Sequence, residues 1–230
     1  MKLIVVGSYS CMNCLRSFKA LKKLSDRYAP DGLEVELIHP PEWDFERNKS
    51  IVQKGLRSHG ISFPWVPDVS KKKISSYGLD FWPAHLLLKK GRTVYKHIGE
   101  GGYLALETSI RNHLGSTGKR VFISEQKIKS HPCVYFGTRK GENTLSTVLE
   151  GTWKRRSEFL ELDGRLQFTM RGTQAFLVCK PLTLSSKIKI GRKSIALGLP
   201  NIYLLGAYTH GARVTLTTTG RVALYALAFA

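Results

Sequence analysis

The apolar positions of the first half of the chain change period from segment to segment. Leu3-Ile4-Val5-Val6 is a continuous apolar run, the pattern of a short strand buried on both faces. Leu15, Phe18, Leu21, Leu24 and Tyr28 then recur at helical spacing, with Arg16, Lys19, Lys22 and Lys23 to one side. This spacing predicts a helix over 14–27, stopped by Pro30-Asp31-Gly32. Leu33, Val35 and Leu37 alternate with Glu34 and Glu36, a second strand over 33–38. Strand, helix, strand with a crossover is a parallel pair in an α/β layer.

His39-Pro40-Pro41-Glu42-Trp43 breaks regular structure at the carboxyl end of that strand, where open α/β sheets place their sites. A helical pattern over 45–59 follows, closed by Gly60, then an extended piece over 61–67 and a short helix over 69–77 carrying Lys71-Lys72-Lys73. Phe81 to Leu88, a tight turn at Gly91 and Thr93 to Ile98 read as an antiparallel hairpin. After Gly99 to Gly102 a last helix carries Tyr103, Leu106, Ile110 and Leu114 on one face. Gly115-Ser116-Thr117-Gly118 ends it.

From Arg120 the period shortens. Val121–Ile123, Cys133–Phe136, Phe159–Leu162, Leu166–Met170, Ala175–Val178, Lys187–Ile190, Ile202–Leu205, Val214–Thr218 and Val222–Phe229 are short β-type runs separated by glycines. Short strands at this spacing argue an antiparallel sandwich or jelly roll. The expected division is therefore an α/β domain over 1–118 and an all-β domain over 119–230, with the boundary at Gly118 to Arg120.

The chain of 230 residues is 42% hydrophobic and 23% charged, a globular composition with enough length for two ordinary cores. No apolar run approaches the roughly 20 residues of a membrane span. Residues 1–118 hold 18 Lys and Arg against 11 Asp and Glu, residues 119–230 hold 18 against 6, and no acidic residue follows Asp163. The net charge of +19 favours anionic partners, and a glycan or polyanion docked on the basic β domain is one expectation. The basic residues come singly or in pairs without interleaved aromatics, so nucleic acid is not an expected partner. As written the chain carries no export signal, so the expected compartment is the cytoplasm.

Chemistry concentrates in Tyr9-Ser10-Cys11-Met12-Asn13-Cys14, a Cys-x-x-Cys between the first strand and the first helix. A sulfur at a helix N-terminus meets unpaired backbone N–H groups and the positive end of the helix dipole, which favour its thiolate. Cys14, one turn further in, can close a small disulfide and release a partner held at Cys11. Cys11 is thus the expected nucleophile and Cys14 the resolving thiol. The same spacing also fits half of a zinc site, which needs a second pair of ligands at short spacing. Cys133 and Cys179 stand far apart and no histidine pair falls at ligand spacing, so no metal is expected. No cofactor beyond a redox-active Cys11–Cys14 disulfide is expected either.

The order of elements with this motif resembles the thioredoxin fold over residues 1 to about 115. More specifically, residues 1–118 resemble the TlpA-type thioredoxin-like domain of DipZ proteins. The resemblance rests on Tyr9-Ser10-Cys11-Met12-Asn13-Cys14, on Pro41-Glu42-Trp43 to Phe45-Glu46, on Phe81-Trp82-Pro83-Ala84 and on His97-Ile98-Gly99-Glu100-Gly101-Gly102-Tyr103. It implies a thiol-disulfide oxidoreductase with protein or small-molecule disulfide and thiol partners and an electron donor still to be identified. Pro83 would be cis beside the cysteines, and Trp82 would present backbone groups to a substrate strand. Glu42 would relay a proton to the buried thiol. Tyr9 and Trp43, with Met12 and Asn13 between the cysteines, would form the rim that meets a partner. Tyr135-Phe136-Gly137, Leu149 to Trp153 with Glu158, and Val222 to Phe229 resemble the carbohydrate-binding-module-like jelly roll of the same proteins, which act outside the cytoplasm. In that half Trp153 reads as a core residue before it reads as a sugar platform. The chain departs from many thioredoxins in Val5, where they carry a buried acid, in Tyr9-Ser10 for the usual Trp, and in Met12-Asn13 for Gly-Pro.

Overall fold

The computed structural model describes residues 1–124, 133–140 and 147–230. The chain forms two compact units, Met1–Lys127 and Ile128–Ala230.

The first unit runs β1 (Lys2–Val6), α1 (Met12–Tyr28), β2 (Glu34–His39), α2 (Lys49–Ser58), β3 (Trp65–Pro67), α3 (Lys72–Ser76), β4 (Ala84–Lys89), β5 (Arg92–Ile98) and α4 (Tyr103–Leu114). Its five strands lie in the order β3-β2-β1-β4-β5. β1, β2 and β3 are parallel, while β4 runs against β1 and β5 against β4. This mixed sheet with its connecting helices is a thioredoxin-like fold. β1 sits at its centre, which explains the unbroken apolar run. Ile4 and Val6 join Ile38, Ile74, Leu79, Ala84 and Leu86 in one core cluster, and Leu3 and Val5 on the other face are equally buried.

Two expected elements take a different form. The helix expected over 45–59 is divided into a 3-10 turn, Asp44–Arg47, and α2. Asn48 stands between them in extended backbone, its side chain accepting from the N–H groups of Ser50 and Ile51 at 2.9 and 3.2 Å. Of the extended piece at 61–67, only Trp65–Pro67 is a strand, paired with Leu37–His39. The hairpin turn has Lys90 and Gly91 both at positive φ, which matches the twist of the flanking strands.

The second unit is all-β: among the described residues one antiparallel sheet of nine strands curls around an apolar core. The strands are β6 (Val134–Tyr135), β7 (Thr147–Arg155), β8 (Leu160–Thr169), β9 (Gln174–Pro181), β10 (Lys187–Ile190), β11 (Lys193–Ala196), β12 (Asn201–Ala207), β13 (Arg213–Thr219) and β14 (Val222–Phe229). The path is β11-β10-β13-β8-β14-β9-β12, with β6 on β14 and β7 on β8. β14 is buried along its whole length, with β9 on one side and β8 and then β6 on the other, which accounts for its continuous apolar sequence. Val121–Ile123, expected as a strand, is not one. Trp153 is a correction: it lies on the solvated strand β7 and is 50% exposed instead of in the core. Cys179 is buried on β9 and Cys133 is exposed. Among the described residues no helix is long and apolar enough to cross a membrane.

Candidate active site

Register places the site at one end of the sheet. Val6, the last residue of β1, pairs with Ile38 on one side and Ala84 on the other. Gly7 and the motif after it therefore emerge between His39, at the end of β2, and Pro83, just before β4. Gly7 has no room for a side chain, since a Cβ there would lie 2.8 Å from the Phe18 ring and 3.1 Å from the Cys14 Cβ. That contact seats the first turn of α1 directly on the strand end.

Cys11 is the N-cap of α1. Its Sγ accepts the Cys14 N–H at 3.3 Å, and its own N–H donates to the Ser8 carbonyl at 3.3 Å. Cys11 is partly buried and Cys14 wholly buried, so the two residues of the pair differ in access to solvent. Burial is the main cause that pushes the Cys14 thiol well above its usual range, with Cys11 and the Glu42 charge adding to it. The Ser8 backbone acts in the opposite sense on the same sulfur. Both cysteines are free thiols in this structure.

Met12 is half-buried and Asn13 exposed. Arg16 donates to Asn13 Oδ1 at 2.6 Å and holds Glu100 with two bonds of 2.7 Å, tying the motif to the glycine-rich turn before α4. The Trp82-Pro83 bond is cis and Pro83 is buried. The Trp82 indole N–H donates to Glu42 Oε2 at 2.7 Å, and the Lys71 ammonium lies 4.8 Å from the Trp82 ring centre. Glu42 is thus fixed to the Trp82-Pro83 segment instead of standing alone in its loop.

Tyr9 and Trp43 are corrections to the expected rim. Tyr9 is wholly buried and Trp43 is 3% exposed, so neither can meet a partner. The Tyr9 ring fills the space where Gly55 of α2 lacks a side chain, a Cβ there meeting it at 2.4 Å. Its N–H donates to His39 Nε2 at 3.1 Å. Burial lowers His39 to about 4, so at neutral pH the ring is uncharged and free to accept this bond.

Four residues of the site are not legible from the sequence: Ser8, Ser10, His39 and Glu46. Glu46, in the 3-10 turn, is 2% exposed, and both serines are buried. Glu46 Oε1 accepts from Ser8 Oγ at 2.6 Å and Ser10 Oγ at 2.7 Å, and Oε2 accepts from the Glu42 N–H at 2.5 Å. Burial raises its carboxyl to about 7 against the opposing effect of these three bonds. Its surroundings in sequence, Glu42-Trp43-Asp44-Phe45-Glu46-Arg47, hold three carboxylates and mark none of them as buried. Among the described residues no group of three or more His, Cys, Asp or Glu is placed to hold a metal ion.

No protein-family model matches the sequence. Protein DipZ of Mycobacterium bovis and of Mycobacterium tuberculosis are each 33% identical to it over 132 residues, 56% of this chain. The chain spans about a fifth of their length, 19%. Among solved structures, a Chlorobium tepidum protein described as a thiol:disulfide interchange protein DsbE is 20% identical with a TM-score of 0.44, covering 50% of this chain and 79% of its own. StoA of Bacillus subtilis is 18% identical with a TM-score of 0.41, covering 47% and 80%. A secreted disulfide oxidoreductase of Mycobacterium tuberculosis is 11% identical with a TM-score of 0.39, covering 48% and 80%.

Proposed function

We propose that the first unit exchanges disulfides with thiol or disulfide partners through Cys11 and Cys14. The observation that carries this reading is the unequal pair: a partly buried cysteine whose sulfur caps α1, bonded by the N–H of a wholly buried cysteine one turn on. The similarity to DipZ supports it. The Cys11 thiolate attacks a partner disulfide, forming a mixed disulfide and expelling one partner thiolate. Cys14 then loses its proton and attacks Cys11 Sγ, closing the internal disulfide and expelling the second thiolate. The partner gains two electrons and the chain loses two; the cycle closes when a thiol donor reduces Cys11–Cys14, and the reverse sequence oxidises a partner dithiol. Glu42, whose charge acts on Cys14, takes the Cys14 proton.

The test is to equilibrate the protein in glutathione buffers and trap free thiols by alkylation. One two-electron transition is expected, absent in Cys11→Ser and Cys14→Ser. A midpoint near about −270 mV marks a reductase of the thioredoxin kind and one near about −120 mV an oxidant of the DsbA kind. If Cys11 and Cys14 never join, the reading fails. The basic β unit is proposed to recruit acidic partners, supported by its charge and by exposed Trp153 beside Lys154 and Arg155 on β7. Retention on heparin that falls with salt and with Trp153→Ala is the expected result, and retention unchanged by the substitution counts against it.

A further inference from the structure

We propose that Glu46 is a positioning residue of the dithiol site, holding Ser8 and Glu42 where each acts on Cys14. The inference rests on the disulfide-exchange reading and deepens it. A buried carboxylate is costly where an apolar side chain would pack. This one takes three donors and offers no hydrogen: two serine hydroxyls on one oxygen and the Glu42 N–H on the other. All three bonds suit the ionised form.

Each end leads to the resolving sulfur. On one side Ser8 gives its hydroxyl to Glu46 while its carbonyl takes the Cys11 N–H, and its backbone favours the Cys14 thiolate. On the other side the Glu42 N–H is anchored to Glu46, and the Glu42 carboxylate takes the Trp82 indole N–H and acts on Cys14 by its charge. Glu46 thereby ties together the loop before α1, the loop after β2 and the Trp82-Pro83 segment. A proton on Glu46 needs an acceptor, so one of the three donors must turn away and the arrangement loosens. The titratable group that acts on it is Glu42, four residues earlier, and neutral His39 on β2 accepts the N–H of Tyr9 between the two serines. Resolution by Cys14 therefore speeds up as Glu46 ionises, beyond the rise due to the thiol itself.

The test uses the reduced full chain in a Cys133→Ser background, which removes the exposed third thiol from parent and variants alike, mixed with 5,5′-dithiobis(2-nitrobenzoate) in a stopped-flow instrument between pH 5.5 and 8.5. The first nitrothiolate reports attack by Cys11 and the second reports resolution by Cys14. Glu46→Gln keeps the serine bonds but faces the Glu42 N–H with an amide donor. The expected result is a first phase within about twofold of the parent and a second phase slowed about tenfold at pH 8. The second phase of the parent shows an added inflection near pH 7, which Glu46→Gln lacks. A purely structural role would not move one phase and its pH profile while sparing the other. Should Glu46→Gln fail to fold, Ser8→Ala carries the test, with the second phase slowed about threefold and the first unchanged. A parent without a second phase overturns the disulfide-exchange reading itself. A second phase that survives Glu46→Gln with the same rate and profile overturns only the role of Glu46.

Discussion

Replacing His85 by Phe isolates one strong pH effect on stability. His85 lies on β4 opposite Val5 and His97, wholly buried. Its ring stacks on His97 at 5.1 Å, Tyr95 at 5.9 Å and Tyr103 at 6.0 Å between centres. Neither ring nitrogen has a hydrogen-bond partner among the described residues. Burial first, and the neighbouring His97 second, lower its pKa to about 3. The unfolded chain takes up this proton below about pH 6.5 and the folded chain does not until about pH 3, so stability falls with pH across that window. Between pH 7.5 and pH 5 the loss is about 1.5 units at 1.36 kcal/mol each, or about 2 kcal/mol. His85→Phe keeps the stack and removes both the titration and the two unsatisfied nitrogens. Urea unfolding of parent and variant at the two pH values measures the difference, since His39 and Glu46 titrate in both and cancel. The variant is expected to be at least as stable at pH 7.5 and to lose about 2 kcal/mol less on going to pH 5. An equal acid loss in both proteins would refute the reasoning.

Gly7→Ala drives a Cβ into the Phe18 ring and the Cys14 Cβ, and urea unfolding is expected to show a loss of about 1–3 kcal/mol. The same variant lets an alkylating reagent reach Cys14 faster under native conditions, and an unchanged rate would show that the contact does not seat α1. In the native parent Cys133 is expected to be alkylated readily, while Cys179, buried on β9 with its thiol pushed far up, reacts only on unfolding, as peptide mass mapping would show.

What the sequence revealed depended on whether a residue's environment was local. β1, α1 and the Cys-x-x-Cys between them were legible because burial on both faces and burial on one stripe leave different periods. The break at Asn48 was hidden because Phe45 to His59 keeps a helical spacing through a side-chain cap that spacing does not register. β7 was missed because both its faces are largely solvated, so no alternation marks it. Tyr9 and Trp43 were misplaced for the opposite reason: aromatic residues near turns read as a rim until packing against α2 and its neighbours buries them. Glu46 was beyond reach because its partners Ser8 and Ser10 lie 38 and 36 residues earlier, and only the closed sheet brings them together.

The mounting of the dithiol on β1 bears on how the protein opens. β1 is paired along its length on both sides, and Leu3 to Val6 are at most 1% exposed, whereas β3 is a three-residue edge strand. In hydrogen-exchange terms β1 belongs to the last part of the unit to open, and the edge strands to the first. Fraying at β3 leaves the strand beneath the cysteines paired on both sides. Cys11 and Cys14 therefore keep their mounting when β3 frays, and lose it when the whole unit unfolds.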